Sequence, residues 1–195
     1  MKIKLLTEKN YKTTLWSGGK TAQIAIYPLD ADFSNKDFIW RISSATVETD
    51  KSVFTDFSNY NRYIATLKGN IKLIHENDEN EYLLNEYQLH KFDGAVKTTS
   101  SGKCTDYNLM LRKNIAEAEI KSLNLKPDEI YEYEISENNS TAVIFCGKGS
   151  INLTYPENLK IGDRETAIIE DYVGKIKIKS HCNSNIIFQI IKISK

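Results

Sequence analysis

Thr66-Leu67-Lys68-Gly69-Asn70-Ile71-Lys72-Leu73 and, 80 residues further on, Cys146-Gly147-Lys148-Gly149-Ser150-Ile151-Asn152-Leu153 share one layout. Each is a strand-like run, a glycine turn, and a second run whose apolar residues stand two apart. That spacing puts them on one face of a β-strand. Each copy then crosses a polar turn to another short apolar stretch, Tyr82-Leu83-Leu84 in the first and Leu159-Lys160-Ile161 in the second. Two copies of one β unit imply two similar small β-barrels.

The rest of the chain agrees. Runs rich in Ile, Val, Tyr, Phe and Thr recur between polar breaks, among them 23–27, 38–47, 63–67, 108–111, 142–145, 167–169, 175–179 and 186–193. Many short strands with turn signals between them indicate an all-β sandwich or barrel. Lys175-Ile176-Lys177-Ile178-Lys179 alternates strictly, which predicts a half-exposed strand. Residues 115–123 carry Ala, Glu and Lys and so favour a helix, yet Ala116, Ala118 and Ile120 alternate with Glu117, Glu119 and Lys121. That alternation fits an edge strand, and Pro127 ends the segment in either case.

The 195 residues suffice for one large domain or two small ones, and bury roughly 70% of the unfolded surface without help from disulfides or metal. Lys plus Arg and Asp plus Glu both total 26, so no basic excess exists to neutralise a phosphate backbone, and a dedicated nucleic-acid binder is excluded. The chain turns polar within its first seven residues and has no apolar run near the ~20 needed to span a bilayer. Cys104, Cys146 and Cys182 are odd in number, far apart and without a Cys-x-x-Cys pair. Reduced thiols in a cytoplasmic protein are expected.

Only four of the 26 basic residues are Arg: Arg41, Arg62, Arg112 and Arg164. In a chain that otherwise uses Lys, Arg marks places where a planar, bidentate cation is needed. Period two puts Arg41, Ser43 and Ala45 on one strand face, opposite Trp40, Ile42 and Ser44. It likewise puts Asp106, Asn108, Met110 and Arg112 together, opposite Tyr107, Leu109 and Leu111. Tyr60-Asn61-Arg62 leads into a third strand. If these polar faces line a barrel mouth, two or three guanidinium groups converge on a carboxylate; if they face outward, they are solvated strand faces.

Other chemistries find less support. Trp16-Ser17-Gly18-Gly19-Lys20-Thr21 ends like a phosphate-binding loop, but Thr14 stands where that motif needs Gly, and no helix follows. A glycine turn into a strand is the plain reading. His75, His90 and His181 stand apart in sequence, without the His-x-His pair and Glu of metal-holding cupin barrels, and His75 opens what reads as a solvated hairpin loop. No metal, no cofactor and no catalytic residue is assigned, and no Ser-His-Asp or Cys-His spacing is legible.

Trp16-Ser17-Gly18-Gly19-x-Thr21-x-Gln23-Ile24-Ala25, Trp40-Arg41-Ile42-Ser43-x-Ala45-x-Val47, Tyr60-Asn61-Arg62, Leu67-x-Gly69, Phe92-Asp93-Gly94 and Asp106-x-Asn108-Leu109-Met110-x-Arg112 resemble the HutD/Ves family in order and spacing. The resemblance covers roughly residues 10–113 and thins beyond. It departs at Lys20, where the family's glycine turn usually has a third Gly. It implies an all-β fold of two cupin-like β-barrels packed as one bicupin unit, an N-terminal barrel over 1–113 carrying the motifs and a C-terminal barrel over 114–195. It further implies a cytoplasmic protein, commonly without metal-binding histidines, that tempers histidine or other amino-acid catabolism by sensing a small anionic metabolite such as formylglutamate or urocanate. The ligand-binding residues carried over are Arg41, Ser43, Asn61, Arg62, Asp106, Asn108 and Arg112, with Trp16 and Trp40 as packing residues. Homodimers are common among cupin barrels and one is expected here. The alternatives are a cupin-type enzyme (isomerase, epimerase or oxygenase) with Asp106, or a histidine brought near the pocket, as general acid or base, and a stress-related protein-interaction module.

Overall fold

The computed structural model describes residues 1–194, which fold into two β units, residues 11–116 and residues 1–10 with 117–194. The chain opens with β1 (Lys2–Leu6). The 11–116 unit then holds β2 (Lys12–Trp16), β3 (Gly19–Tyr27), β4 (Trp40–Val47), β5 (Lys51–Val53), β6 (Tyr60–Lys68), β7 (Ile71–His75), β8 (Glu81–Leu84), β9 (Leu89–Asp93), β10 (Thr98–Ser101) and β11 (Cys104–Arg112). There follow β12 (Ala116–Leu125), β13 (Ile130–Ile135), β14 (Ser140–Lys148), β15 (Ile151–Tyr155), β16 (Leu159–Ile161), β17 (Thr166–Glu170), β18 (Gly174–Ser180) and β19 (Ser184–Ile193).

In the 11–116 unit a six-stranded sheet runs β2-β3-β4-β11-β6-β9 and a four-stranded sheet runs β5-β10-β7-β8. The other unit repeats this plan, with β12-β19-β14-β17 matching β4-β11-β6-β9 and β13-β18-β15-β16 matching β5-β10-β7-β8. The repeat seen in the sequence is therefore a repeat of topology. Its glycine turns have a steric origin. Gly69 (φ 80°) and Gly149 (φ 92°) both take the left-handed conformation. A β-carbon at either would sit 2.7 Å from the Lys103 carbonyl oxygen or 2.8 Å from that of Asn183.

The expectation for residues 115–123 is met by β12, an edge strand whose Glu117, Glu119 and Lys121 are exposed. Alternation outweighs helix propensity here because one face has a sheet interior to cover. The first ten residues, placed with the N-terminal barrel from the sequence, lie elsewhere. β1 pairs antiparallel with β17, Lys2 opposite Glu170 and Leu6 opposite Thr166, and so belongs to the C-terminal sheet. Five residues with charges at alternate positions carry too little pattern to name the sheet they extend.

The two interiors differ in chemistry. In the C-terminal unit Ala142, Ile144, Phe188, Ile190, Leu153 and Ile178 are buried in one continuous apolar core. Each fully buried Ile or Phe contributes about 1.5–3 kcal/mol. In the 11–116 unit the core is divided into a cluster around Ile64, Leu73 and Phe92 and another around Phe38, Phe57 and Tyr60. At the 80-residue offset Arg62, Asp106, Asn108 and Met110 correspond to Ala142, Ile186, Phe188 and Ile190. One copy of the barrel is filled with hydrocarbon; the other carries buried charge in the same strands.

Candidate functional site, a cationic cavity in the N-terminal barrel

The inner face of the six-stranded sheet is built from period-two alternation in β4, β6 and β11. Register sets Met110 of β11 directly opposite Arg41 of β4 on one side and Arg62 of β6 on the other. With strands about 4.8 Å apart, the two arginine α-carbons stand roughly 10 Å from each other across Met110. One pair further along, Asn108 lies opposite Ser43 and Ile64. Two residues further, alternation puts Asp106 on the same face, opposite Thr66, just before a register shift between Thr105 and Asp106.

These side chains line a cavity of about 380 Å³ between the six-stranded sheet and residues 52–57. Trp16 and Phe33, each 40% exposed, also line it and open it to solvent. Arg41, Ser43, Arg62, Asp106 and Asn108 are all buried. Arg41 Nε donates to Gln23 Oε1 at 2.8 Å and Nη1 to Ser43 Oγ at 3.1 Å, while its guanidinium carbon lies 4.0 Å from the Phe33 ring centre. Arg62 Nε and Nη2 donate to Asn108 Oδ1 at 3.4 and 3.3 Å, and its guanidinium sits 4.8 and 5.0 Å from Phe54 and Phe92. The aromatic faces hold both cations by cation–π attraction without consuming their hydrogen-bonding edges. Asp106 Oδ1 accepts from the Ala45 amide at 2.9 Å, and the Asp106 carbonyl accepts from Ser44 Oγ at 2.5 Å, so β11 is anchored to β4 here.

Burial pushes both guanidinium groups down to about 10 from their usual value; for Arg41 the like charge of Arg62 adds to this. The Asp106 carboxylate opposes the shift at each. Both arginines are thus charged at neutral pH, and two cations face one anion, an excess of one positive charge inside a partly dry cavity. Two like charges this close are unfavourable alone and are improved by any anion that enters.

Five of the seven residues singled out from the sequence therefore come together: Arg41, Ser43, Arg62, Asp106 and Asn108. Asn61 and Arg112 do not line the cavity. Asn61 is next to Arg62 in β6 and so points to the opposite face, in register with Asp93 of β9. Arg112 shares the face of Asp106 but stands at the end of β11, where Nη2 donates to the Lys36 carbonyl at 2.7 Å and to Tyr60 Oη at 3.3 Å. It pins the 28–39 loop. Trp40 is a packing residue, 2% exposed and stacked on Tyr27 at 5.7 Å, but Trp16 lines the cavity instead of a core. Gln23, Phe33 and Phe54 were missed. Gln23 stands within the quoted Thr21-x-Gln23 motif and was legible; the two phenylalanines lie in irregular segments where no periodicity speaks.

The donor set does not fit a divalent cation. Such ions take clustered carboxylates, imidazoles or thiolates, whereas this cavity offers one carboxylate beside two fixed cations. Among the described residues no group of three or more His, Cys, Asp or Glu side chains is placed to hold a metal. His75 and His90, separate in sequence, do meet in space, and His75 is buried where the sequence suggested a solvated loop.

Solved structures share this architecture. A conserved protein of unknown function from Pseudomonas aeruginosa PAO1 superimposes with a TM-score of 0.85 at 19% identity, covering 98% of this chain and 100% of its own. HutD from Pseudomonas fluorescens SBW25, in a formate condition, gives 0.78 at 19% identity with both chains covered in full. The bacterial pirin YhhW from Escherichia coli, in complex with nickel(II), gives 0.75 at 10% identity, covering 97% of this chain and 98% of that one. At these identities the likeness concerns the fold, and it makes both halves of this chain cupin-like. No curated protein sequence matches the chain. Residues 8–187, however, match the HutD family profile, through both β units and all the cavity residues, and the chain belongs to the HutD family.

Proposed function

We propose that this HutD-family chain is a metal-independent binding protein for a small carboxylate, and that the bound state modulates histidine or other amino-acid catabolism in the cytoplasm. The single observation that carries the ligand class is the unequal charge count of the cavity, with buried Arg41 and Arg62 against Asp106 alone. A carboxylate restores the balance and accepts hydrogen bonds from the guanidinium edges that the aromatic stacking leaves available. The volume of about 380 Å³ suits a ligand of about a dozen heavy atoms. At roughly 0.6 kcal/mol per atom such a ligand reaches about 7 kcal/mol, low-micromolar affinity and in the range of metabolite sensing. Formate, named in the condition of the Pseudomonas fluorescens relative, is the smallest carboxylate probe; urocanate and formylglutamate are the larger ones.

The test is thermal unfolding of the purified chain with each acid, using chloride at equal ionic strength as control. At one hundred times the dissociation constant a ligand adds about 2.7 kcal/mol. For a chain of this size that raises the midpoint by roughly 5–10 °C. Arg62→Lys keeps the charge and loses the planar fork, so it loses most of that rise while the variant still folds. No rise with any small carboxylate would defeat the proposal.

A further inference from the structure

Away from the cavity, the two sheets of the 11–116 unit meet through a pair of histidines. His75 ends β7 in the four-stranded sheet, His90 lies on β9 in the six-stranded sheet, and their Nε2 atoms are 2.9 Å apart. The rings stack at 5.1 Å with Tyr82 and Phe92 against them. One arrangement of the protons satisfies all three contacts. Thr98 Oγ1 gives its only proton to the Val96 carbonyl at 3.0 Å, so it accepts from His75 Nδ1 at 2.8 Å. His75 therefore carries its proton on Nδ1, its Nε2 is a bare acceptor, and the His90 Nε2–H donates to it.

The pair can take up one proton without moving. It goes to His90 Nδ1, and the imidazolium still donates from Nε2 to neutral His75. A second proton has only His75 Nε2 to occupy, where it would face the His90 N–H across 2.9 Å. Two N–H groups cannot point at each other at that separation. We propose that His75 and His90 form a one-proton clasp between the two sheets, closed while at most one proton is shared and forced open at this edge by the second.

The groups facing the clasp are few. The β7–β8 turn contributes the Asp78 carboxylate, which accepts from the Tyr82 hydroxyl of β8 at 2.5 Å; β9 contributes Phe92 and β10 contributes Thr98. Burial holds both imidazoles below their ordinary range, for His90 with the charge of His75 adding to it, and Asp78 opposes this at each. A histidine depressed on folding binds its proton more readily in the unfolded chain. Its contribution to stability is complete above about pH 6.5 and is lost as pH falls through the folded value.

The clasp is tested on the full chain by following the imidazole nitrogens by NMR from pH 8 to pH 5. The expected result is His75 protonated on Nδ1 and His90 on Nε2 at pH 8, with the pair's second proton bound at least about tenfold more weakly than by a free imidazole of pKa about 6.5. The thermal midpoint should fall below pH 6.5. His90→Gln should flatten that fall, because a Gln amide can turn to donate or accept and does not titrate. Both imidazoles taking up a proton at the ordinary value of about 6.5, or an unchanged pH dependence in His90→Gln, would overturn the clasp. Should that variant not fold, the nitrogen titration of the unaltered chain decides alone.

Discussion

Arg62→Met should make this protein more stable and less able to bind a carboxylate. Arg62 is 8% exposed, and its guanidinium is pushed down to about 10 from 12.5, chiefly by burial. At 1.36 kcal/mol per unit, holding that charge inside costs about 3 kcal/mol. Methionine removes this cost, fits a similar length between Phe54 and Phe92, and relieves Arg41 of its like-charged neighbour. Against it stand the two bonds to Asn108 Oδ1, long at 3.4 and 3.3 Å and together about 1 kcal/mol. The attraction of Asp106 is already contained in the net downward shift, and Asp106 keeps the Ala45 amide and Arg41. The net is a gain of about 2 kcal/mol, a midpoint roughly 4–8 °C higher in thermal or urea unfolding, with the carboxylate-induced rise abolished. Destabilisation of 3 kcal/mol or more would refute the reasoning, because it would make Arg62 the necessary partner of a buried ion pair instead of a charge held for a ligand.

Arg112→Ala, by contrast, should lower stability by about 1 kcal/mol through loss of the Lys36 carbonyl bond, while leaving carboxylate binding by calorimetry within about twofold. Carboxylate affinity should be level from pH 7 to 9 and fall as pH rises through about 10, where Arg41 and Arg62 lose their protons; a titration of binding against pH checks this. Gly149→Ala should cost more than about 1 kcal/mol in denaturant unfolding, since Ala at φ 92° meets the Asn183 carbonyl.

Alternation made the two strand faces of the cavity readable, because β4 and β11 have both sides buried and a strand can send a side chain only up or down. Arg41 and Ser43 on one strand and Asp106 and Asn108 on the other follow directly. The same rule separates Asn61 from Arg62. Arg112 obeys the alternation and still misses the cavity, since facing the right way does not say how far along the strand the cavity reaches. Phe33 and Phe54 come from irregular segments, and their service as aromatic supports depends on where the arginines stop.

What the amino-acid order determined alone was the local grammar: short β runs, their inward and outward faces, the glycine turns and the twofold repeat. These follow from strand geometry and backbone sterics, which act between neighbours in the chain. The tertiary structure decided which runs lie side by side. It joined β1 to β17, set Arg41 and Arg62 on either side of Met110, and brought His75 against His90 from separate sheets. Those pairings are settled by burial and hydrogen bonding summed over the whole interior. No short stretch of sequence contains that sum.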